Sequence, residues 1–170
     1  RGLAFHTYAD LAARAAGPGI ALGFDDRDTA GWTSLRPLFA TYGARVTFFV
    51  SGYGYLDDTA RAQLRQLAAD GHDIAAHSVN HDRAPAYVEE HGLDAYMKHE
   101  AVASIEILRD EGYTVTSFAY PFGAHTSELD DAILEHVPVP VGDPEGALQL
   151  QISAVDYTSF LGRIAVGRIR

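Results

Sequence analysis

The sequence contains no cysteine among its 170 residues, which excludes thiol nucleophiles, iron–sulfur clusters and zinc sites built on thiolates. Lysine is almost absent as well: Lys98 is its one occurrence, and the formal net charge is −10. Because nucleic acid and anionic membrane surfaces are bound by clustered Lys and Arg, neither is an expected partner. No apolar run reaches the roughly 18 residues of a membrane-spanning helix, so no membrane span is predicted.

The remaining composition is typical of a globular domain, with 47% hydrophobic and 21% charged residues. Since one domain usually accounts for about 150 residues, residues 1–170 are predicted to form a single domain. A chain of this length buries about two-thirds of its unfolded surface, which makes disulfide bonds unnecessary for stability. The sequence gives no indication of the oligomeric state.

Short β-rich segments alternate with segments of helical periodicity along most of the chain. The predicted strands are 20–24, 46–50, 73–77 and 114–120, and the predicted helices are 35–42, 57–70, 93–110 and 127–136. Repeated strand–helix units place parallel strands beneath covering helices, so the fold class is α/β. After Val137 the alternation stops, and only short strands at 148–152 and 164–166 are expected.

Polar residues collect where two of these strands end. Asp25 and Asp26 close the first strand, and His77 and His81, four residues apart, follow the third. In parallel α/β folds ligand sites form at the carboxyl ends of the strands, so these four side chains are expected at one edge. If the chain turns helically after His77, both imidazoles face one ion. Two His and one carboxylate suit Zn²⁺ and leave open positions, while the second Asp is a candidate base.

Four stretches of the sequence match known motifs in the correct order. They are Ala-Leu-Gly-Phe-Asp-Asp at 21–26, the strand at 45–52, Gly-His-Asp-Ile-Ala-Ala-His-Ser-Val-Asn-His at 71–81, and Phe-Ala-Tyr-Pro-Phe-Gly at 118–123. In these stretches the chain resembles the polysaccharide deacetylases of the NodB-homology type, carbohydrate esterase family 4. The resemblance covers roughly residues 20 to 136. It implies a distorted (β/α) barrel of the polysaccharide deacetylase type and a metal-dependent hydrolase that removes acetyl groups.

The resemblance also implies roles for individual residues. Asp26, His77 and His81 match the family's metal ligands, and Asp25 matches its catalytic base. The backbone N–H of Phe122 matches the position that helps to hold the oxyanion. Tyr120, Pro121 and Phe122 would wall the acetyl pocket. One divalent ion is therefore expected, with Zn²⁺ the first choice and Co²⁺, Ni²⁺ and Fe²⁺ also compatible with nitrogen and oxygen ligands.

The sequence departs from the family pattern in several places. Arg27 stands where the family usually has Gly, and Ala119 stands where it often has an Arg that pairs with the base. The late Leu-x-His motif that supplies the general acid is missing. This leaves His125 and His136 as the histidines after the family's third motif, which is the stretch 118–123. His125 follows Gly123 in a loop and is the candidate proton donor. Either the chain is a divergent branch, or residues 137–153 are incompletely preserved.

The expected substrate is an acetylated polysaccharide or oligosaccharide, most simply a polymer of the N-acetylglucosamine type. A secreted, periplasmic or cell-surface protein is expected, because such polymers lie outside the cytoplasm. One alternative is a catalytically silent member of the fold that retains metal or sugar binding. Another treats the two His and one carboxylate as the triad of an iron oxygenase, but the α/β pattern argues against that class.

Overall fold

The computed structural model describes residues 4–13, 18–137, 150–158 and 162–169. The strands are β1 (Ala4–His6), β2 (Gly19–Ala21), β3 (Gly23–Asp26), β4 (Thr47–Val50), β5 (Asp73–Ala76), β6 (Leu150–Thr158) and β7 (Gly162–Ile169). The helices are α1 (Tyr8–Ala12), α2 (Thr29–Ser34), α3 (Arg36–Tyr42), α4 (Asp58–Ala69), α5 (Ala84–His91), α6 (Leu93–Tyr96), α7 (Val102–Asp110) and α8 (Ser127–Ile133). A π-helical turn, Met97–Ala101, joins α6 to α7, and Tyr53–Tyr55 and Pro121–Gly123 form short 3₁₀ turns.

A parallel sheet of order β3-β4-β5 carries the first half of the fold. Its register pairs Asp26 with Val50 and Val50 with Ala76, so the carboxyl ends of the three strands lie level. Ala76 forms a further parallel bridge to Phe118, which adds the segment before Tyr120 to the same edge. Residues distant in sequence are therefore brought side by side at this edge.

The core lies around β4 and β5, whose residues are all buried. Phe48 is fully buried, stacks on Trp32 at a ring-centroid distance of 4.9 Å, and meets Phe24 and Phe39. Burial on both faces is expected of a central parallel strand between helices. The strand between the two strands that carry the candidate site residues is therefore packed on both faces.

Most predicted elements are present, with three informative differences. The predicted strand 20–24 is divided at Leu22 between β2, which pairs with β1, and β3, which pairs with β4. The predicted strand 114–120 is reduced to the single bridge at Phe118. The helix α2 was not predicted because its short sequence, which includes Gly31, has no apolar stripe; the Asp28 carboxylate caps it by accepting from Gly31 N–H at 3.0 Å.

The strands of the last part of the chain differ from the earlier ones in direction. β6 and β7 pair antiparallel with each other, in a register that joins Leu150 to Ile169. They cover the predicted short strands at 148–152 and 164–166 and extend beyond them, apart from residues 148 and 149, which lie outside the described residues. None of the helices in the described ranges is both long and apolar enough to cross a membrane.

Candidate metal centre

Asp26, His77 and His81 meet at the carboxyl edge of the β3-β4-β5 sheet. His81 Nε2 lies 2.8 Å from Asp26 Oδ1, and His77 Nε2 lies 3.8 Å from the same oxygen. One potential ligand atom from each residue lies within 4.8 Å of the others. A carboxylate and two imidazoles at this spacing are a suitable donor set for a divalent ion of the Zn²⁺ type. The structure thus brings together the three residues expected from the sequence.

His77 is held by the end of the sheet. Its backbone N–H donates to Val50 O at 3.1 Å, its side chain is 2% exposed, and its Nδ1–H donates to Ala119 O at 2.8 Å. Because Nδ1 carries the proton, Nε2 presents its lone pair towards Asp26. Burial lowers the pKa of His77, which favours the neutral imidazole that binds metal.

His81 reaches the site by a route that the sequence did not predict. A helical turn after His77 was the expected way to align the two imidazoles, but residues 77–83 form an irregular loop. Ser78 and His81 have φ angles of 63° and 64°, in the left-handed region. The Ser78 hydroxyl accepts a hydrogen bond from His81 N–H at 3.1 Å and closes the turn. Two left-handed residues, rather than a helix, therefore turn His81 back towards Asp26.

Backbone strain is concentrated at this edge. The non-glycine residues with positive φ in the described part of the chain are Asp26 (85°), Ser78, His81 and Phe122 (60°). Each such residue costs of the order of 1–3 kcal/mol and persists only where its surroundings fix it. Asp26 and His81 are candidate ligands, and the Phe122 ring contacts that of His81 at a centroid distance of 4.7 Å. The strain and the candidate site therefore coincide.

Asp25 precedes Asp26 on β3 and is electrostatically coupled to the same histidines. Asp25 is exposed at the end of its strand, but nearby protein atoms displace part of its water and raise the pKa of its carboxyl above the ordinary value. Positive charge on His77 would lower this pKa, and the negative charge of Asp26 raises it. Asp26 leaves the extended conformation, with a φ of 85°, so the two neighbouring carboxylates differ in backbone conformation. The roles of base for Asp25 and of metal ligand for Asp26 stay predictions.

The third motif forms a wall beside His81. Pro121 is buried, Tyr120 is half-buried, and the Phe122 side chain is 67% exposed. Burial and the nearby Asp130 raise the pKa of the Tyr120 hydroxyl. This arrangement is consistent with the predicted acetyl pocket, whose residues remain predictions.

His125 belongs to a small polar cluster next to Tyr120. Its Nδ1 lies 2.9 Å from Asp130 Oδ2, and its ring stacks on Tyr120 at 5.8 Å. Its side chain is half-exposed. His136 instead lies in the turn after α8, where its carbonyl accepts a hydrogen bond from the Arg109 guanidinium at 3.1 Å. Of these two histidines, His125 is the one placed beside the third motif.

Sequence reasoning missed Glu100, which supports the loop that carries His81. Its carboxylate accepts hydrogen bonds from Val79 N–H and Asn80 N–H at 3.2 and 2.8 Å. The signal available in the sequence was an acidic residue four positions after Tyr96, on the inward face of the predicted helix 93–110. An acidic residue on an apolar helix face requires a hydrogen-bonding partner, because burying it without one is costly.

Comparison with known proteins identifies the family and the fold of this chain. The family model described as polysaccharide deacetylase matches residues 13–137. The deacetylase domain of BpsB from Bordetella bronchiseptica is 21% identical, with a TM-score of 0.61 over 79% of this chain and 69% of that one. The peptidoglycan deacetylase PdaC from Bacillus subtilis is 24% identical, with a TM-score of 0.55 over 74% of this chain and 60% of that one. At these identities the likeness establishes the fold, a distorted (β/α) barrel of the deacetylase type.

A short segment of the chain is also similar to a protein that is not a deacetylase. The large ribosomal subunit assembly factor BipA of Synechocystis is 58% identical over 41 residues, and BipA of Bacillus subtilis is 44% identical over 41 residues. These matches cover 24% of this chain, and the chain spans about 7% of the length of these curated relatives. Most of the chain is instead covered by the deacetylase model, which includes every residue of the candidate centre. The chain belongs to the polysaccharide deacetylase family.

Proposed function

We propose that this chain hydrolyses acetyl groups from an acetylated glycan, using a divalent metal ion held by Asp26, His77 and His81. The observation that carries the proposal is the convergence of these three side chains within 4.8 Å, next to a second carboxylate, Asp25. The family match supports an enzyme acting on acetylated sugar or peptidoglycan. Zn²⁺ is our first choice of metal, since its preferred ligands include imidazole and carboxylate.

Two groups of this chain are assigned to the attack of water on the acetyl group. A bound divalent ion lowers the pKa of water and polarises the acetyl carbonyl. Asp25, next to the proposed ligand Asp26 on β3, is the proposed general base that takes the proton of the attacking water. The backbone N–H of Phe122 is the proposed donor to the oxygen that becomes negatively charged.

The leaving amine or alcohol needs a proton, and we assign its delivery to His125. In the protonated imidazolium, Nδ1–H would donate to the Asp130 carboxylate 2.9 Å away and Nε2–H would be the proton given to the leaving group. Tyr120, Pro121 and Phe122 would hold the acetyl group beside the metal. The exposure of Asp26, whose side chain is 64% accessible, suits a polymer that lies across the edge. Such a substrate would place the protein outside the cytoplasm, secreted, periplasmic or at the cell surface.

The test is acetate release from acetylated chitin oligomers and peptidoglycan fragments by the Zn²⁺-loaded protein. Asp25→Asn should lower kcat by about 10²–10⁴, the usual contribution of a general base, while Zn²⁺ affinity stays within about threefold. A wild-type protein that binds Zn²⁺ but releases no acetate from any acetylated glycan would support the silent metal-binding alternative. Equal rates for wild type and Asp25→Asn would contradict the role of Asp25.

We also propose that the deacetylase domain ends near Val137 and that residues 138–170 have a different origin. The family match ends at Val137, which leaves 33 residues after it; the similarity to BipA extends over 41 residues, more than this stretch holds. The antiparallel pairing of β6 with β7, against the parallel pairing of β3-β4-β5, supports this division. The single domain expected for residues 1–170 stays a prediction, and this proposal is the alternative to it. No assembly-factor activity is proposed, because only 7% of that protein's length is matched.

A proline in the last hairpin tests this division. Ala154→Pro interrupts the pairing of Ala154 with Val166, and we expect unchanged Zn²⁺ affinity and acetate release. A matched substitution in β4, Phe49→Pro, should abolish both. Loss of Zn²⁺ binding in Ala154→Pro would show that the hairpin is part of the deacetylase domain.

A further inference from the structure

Glu100 is a fully buried carboxylate whose hydrogen bonds lead to the loop after His77. It is 0% exposed. Its Oε2 accepts from Val79 N–H at 3.2 Å and from Asn80 N–H at 2.8 Å, and its Oε1 accepts from the Asn80 side-chain amide at 2.5 Å. Hydrogen bonds to a buried carboxylate are about twice as strong as those between neutral groups. Glu100 is therefore a strong anchor for residues 79 and 80.

The loop that Glu100 holds needs an anchor. Ser78 and His81, on either side of the two bonded amides, are both in the left-handed conformation. Such conformations are kept only when the surrounding structure determines them. Asn80 extends the support to the far side of the loop, because its Oδ1 accepts a hydrogen bond from the Tyr55 hydroxyl at 2.8 Å. The loop is thus fixed between a helix and the Tyr53–Tyr55 turn.

The helix is irregular where Glu100 lies. Met97–Ala101 form a π-helical turn between α6 and α7. A π-helical turn is an energetically unfavourable insertion that is often found at functional sites. Glu100 and Ala101 are the buried residues of this turn, so the irregular turn directs the Glu100 carboxylate into the protein and towards the loop.

We propose that Glu100 is a positioning residue of the metal centre. By binding the amides of Val79 and Asn80, it fixes the backbone between His77 and His81. It thereby sets the position of His81 Nε2 relative to Asp26 Oδ1. Glu100 contacts neither the reacting atoms nor the metal ligands, and its effect passes through the loop. The inference rests on the proposed metal-binding function.

The experiment compares Zn²⁺ affinity, by chelator competition, and the visible absorption of the Co²⁺-loaded protein. The variants are Glu100→Gln, the double variant Glu100→Gln with Asn80→Asp, and the control Glu106→Gln, an exposed acid on the same helix. In Glu100→Gln the charge is lost and the new amide nitrogen faces the side-chain nitrogen of Asn80. Either two donors meet, or the Asn80 amide turns over and its nitrogen replaces Oδ1 opposite the Tyr55 hydroxyl. In the double variant the donor and acceptor exchange places, the carboxylate introduced at position 80 still accepts from Tyr55, and the bond is restored.

We expect Glu100→Gln to weaken Zn²⁺ binding by about 10- to 100-fold, the usual effect of losing a group that orients a ligand, and to alter the Co²⁺ absorption bands. The double variant should recover most of the affinity and the wild-type bands, and Glu106→Gln should match the wild type. Wild-type affinity and bands in Glu100→Gln would overturn the role of Glu100, and so would a loss that the double variant does not restore. A wild-type protein that binds no Zn²⁺ would refute the proposed function as well.

Discussion

The two ends of the β3-β4-β5 sheet each bring a buried His close to an Asp, yet their chemistry is opposite. At the amino end, His72 Nδ1 accepts a hydrogen bond from Val46 N–H at 3.1 Å, and Asp73 Oδ2 accepts from the Thr47 hydroxyl and Ala9 N–H at 3.1 and 3.2 Å. At the carboxyl end, the facing atoms of His77, His81 and Asp26 converge on one another. At the amino end the acceptor atoms of His72 and Asp73 are occupied by protein N–H and O–H donors. At the carboxyl end the facing atoms are available to a ligand.

Backbone conformation separates the two ends as clearly. No residue of the amino-end cluster named above has a positive φ, whereas Asp26 and His81 both do. Burial lowers the pKa of His72 and raises that of Asp73, which is the expected effect of removing charge from water. A neighbouring His and Asp are thus available to a ligand at the exposed carboxyl end, where Asp26 is 64% accessible, and are occupied by protein donors at the buried amino end.

The largest effect is expected at the carboxyl end. Asp26→Asn keeps the side-chain shape and tolerates the positive φ of this position, but removes the anionic ligand. Loss of a group that orients a metal ligand already lowers metal affinity by about 10- to 100-fold. Loss of the charge of the ligand itself should therefore lower Zn²⁺ affinity by more than about 100-fold. Calorimetric titration measures this, with His91→Ala, an exposed histidine of α5, as the control. Unchanged affinity in Asp26→Asn would remove this residue from the site.

At the amino end the expected loss is of stability. Asp73→Ala leaves the Thr47 hydroxyl and Ala9 N–H without their acceptor, and should lower the free energy of unfolding by about 1–3 kcal/mol. Zn²⁺ affinity should be unchanged. Urea denaturation is the measurement, and Asp73→Asn, which keeps an acceptor oxygen, should lose less. An Asp73→Ala protein with weakened Zn²⁺ binding and full stability would reverse the roles of the two ends.

A third effect is a pH dependence that comes from His72. Its pKa in the folded protein is below the ordinary value of 6.5, so the unfolded chain binds the extra proton first as the pH falls. The stabilising contribution is complete above pH 6.5 and decreases as the pH drops towards the folded pKa, by at most about 1.4 kcal/mol per pH unit for one proton. His72→Asn keeps an acceptor for Val46 N–H but does not titrate. Its unfolding free energy should therefore fall less between pH 7 and 5 than that of the wild type, and equal slopes would contradict this account.

The smallest effect tests the strain at the carboxyl end. Phe122 has a φ of 60° and an exposed side chain. Phe122→Gly should raise the free energy of unfolding by about 0.5–1 kcal/mol, because glycine adopts this conformation without penalty. Acetate release should fall, because the wall beside His81 is lost. Thermal denaturation measures the first effect, and a destabilised Phe122→Gly protein would show that the conformation is not strained.

The residues at the carboxyl edge of the sheet could be predicted, because strand composition and the residues that follow a strand are local features of the sequence. β4 was evident from its β-branched and aromatic residues, and the Asp and His pairs were evident from their places after strands. The conformation of the 77–81 loop could not be predicted, since Ser78 and His81 adopt positive φ only under constraints from Glu100 and Ser78 Oγ. The division of the predicted strand 20–24 was also hidden, because Leu22 is apolar like its neighbours and only the pairing of β2 and β3 with different strands separates them.

By itself the sequence determined the α/β class, the family and the identity of the candidate ligands, because hydrophobic period and motif order are properties of the chain. Only the tertiary structure decided which atoms are free. It assigned His72 and Asp73 to backbone and hydroxyl donors, and it left His77 Nε2 facing Asp26 by satisfying Nδ1 with Ala119 O. The physical reason is that a lone pair becomes available or is used up through contacts between residues far apart in the chain, and such contacts exist only after folding.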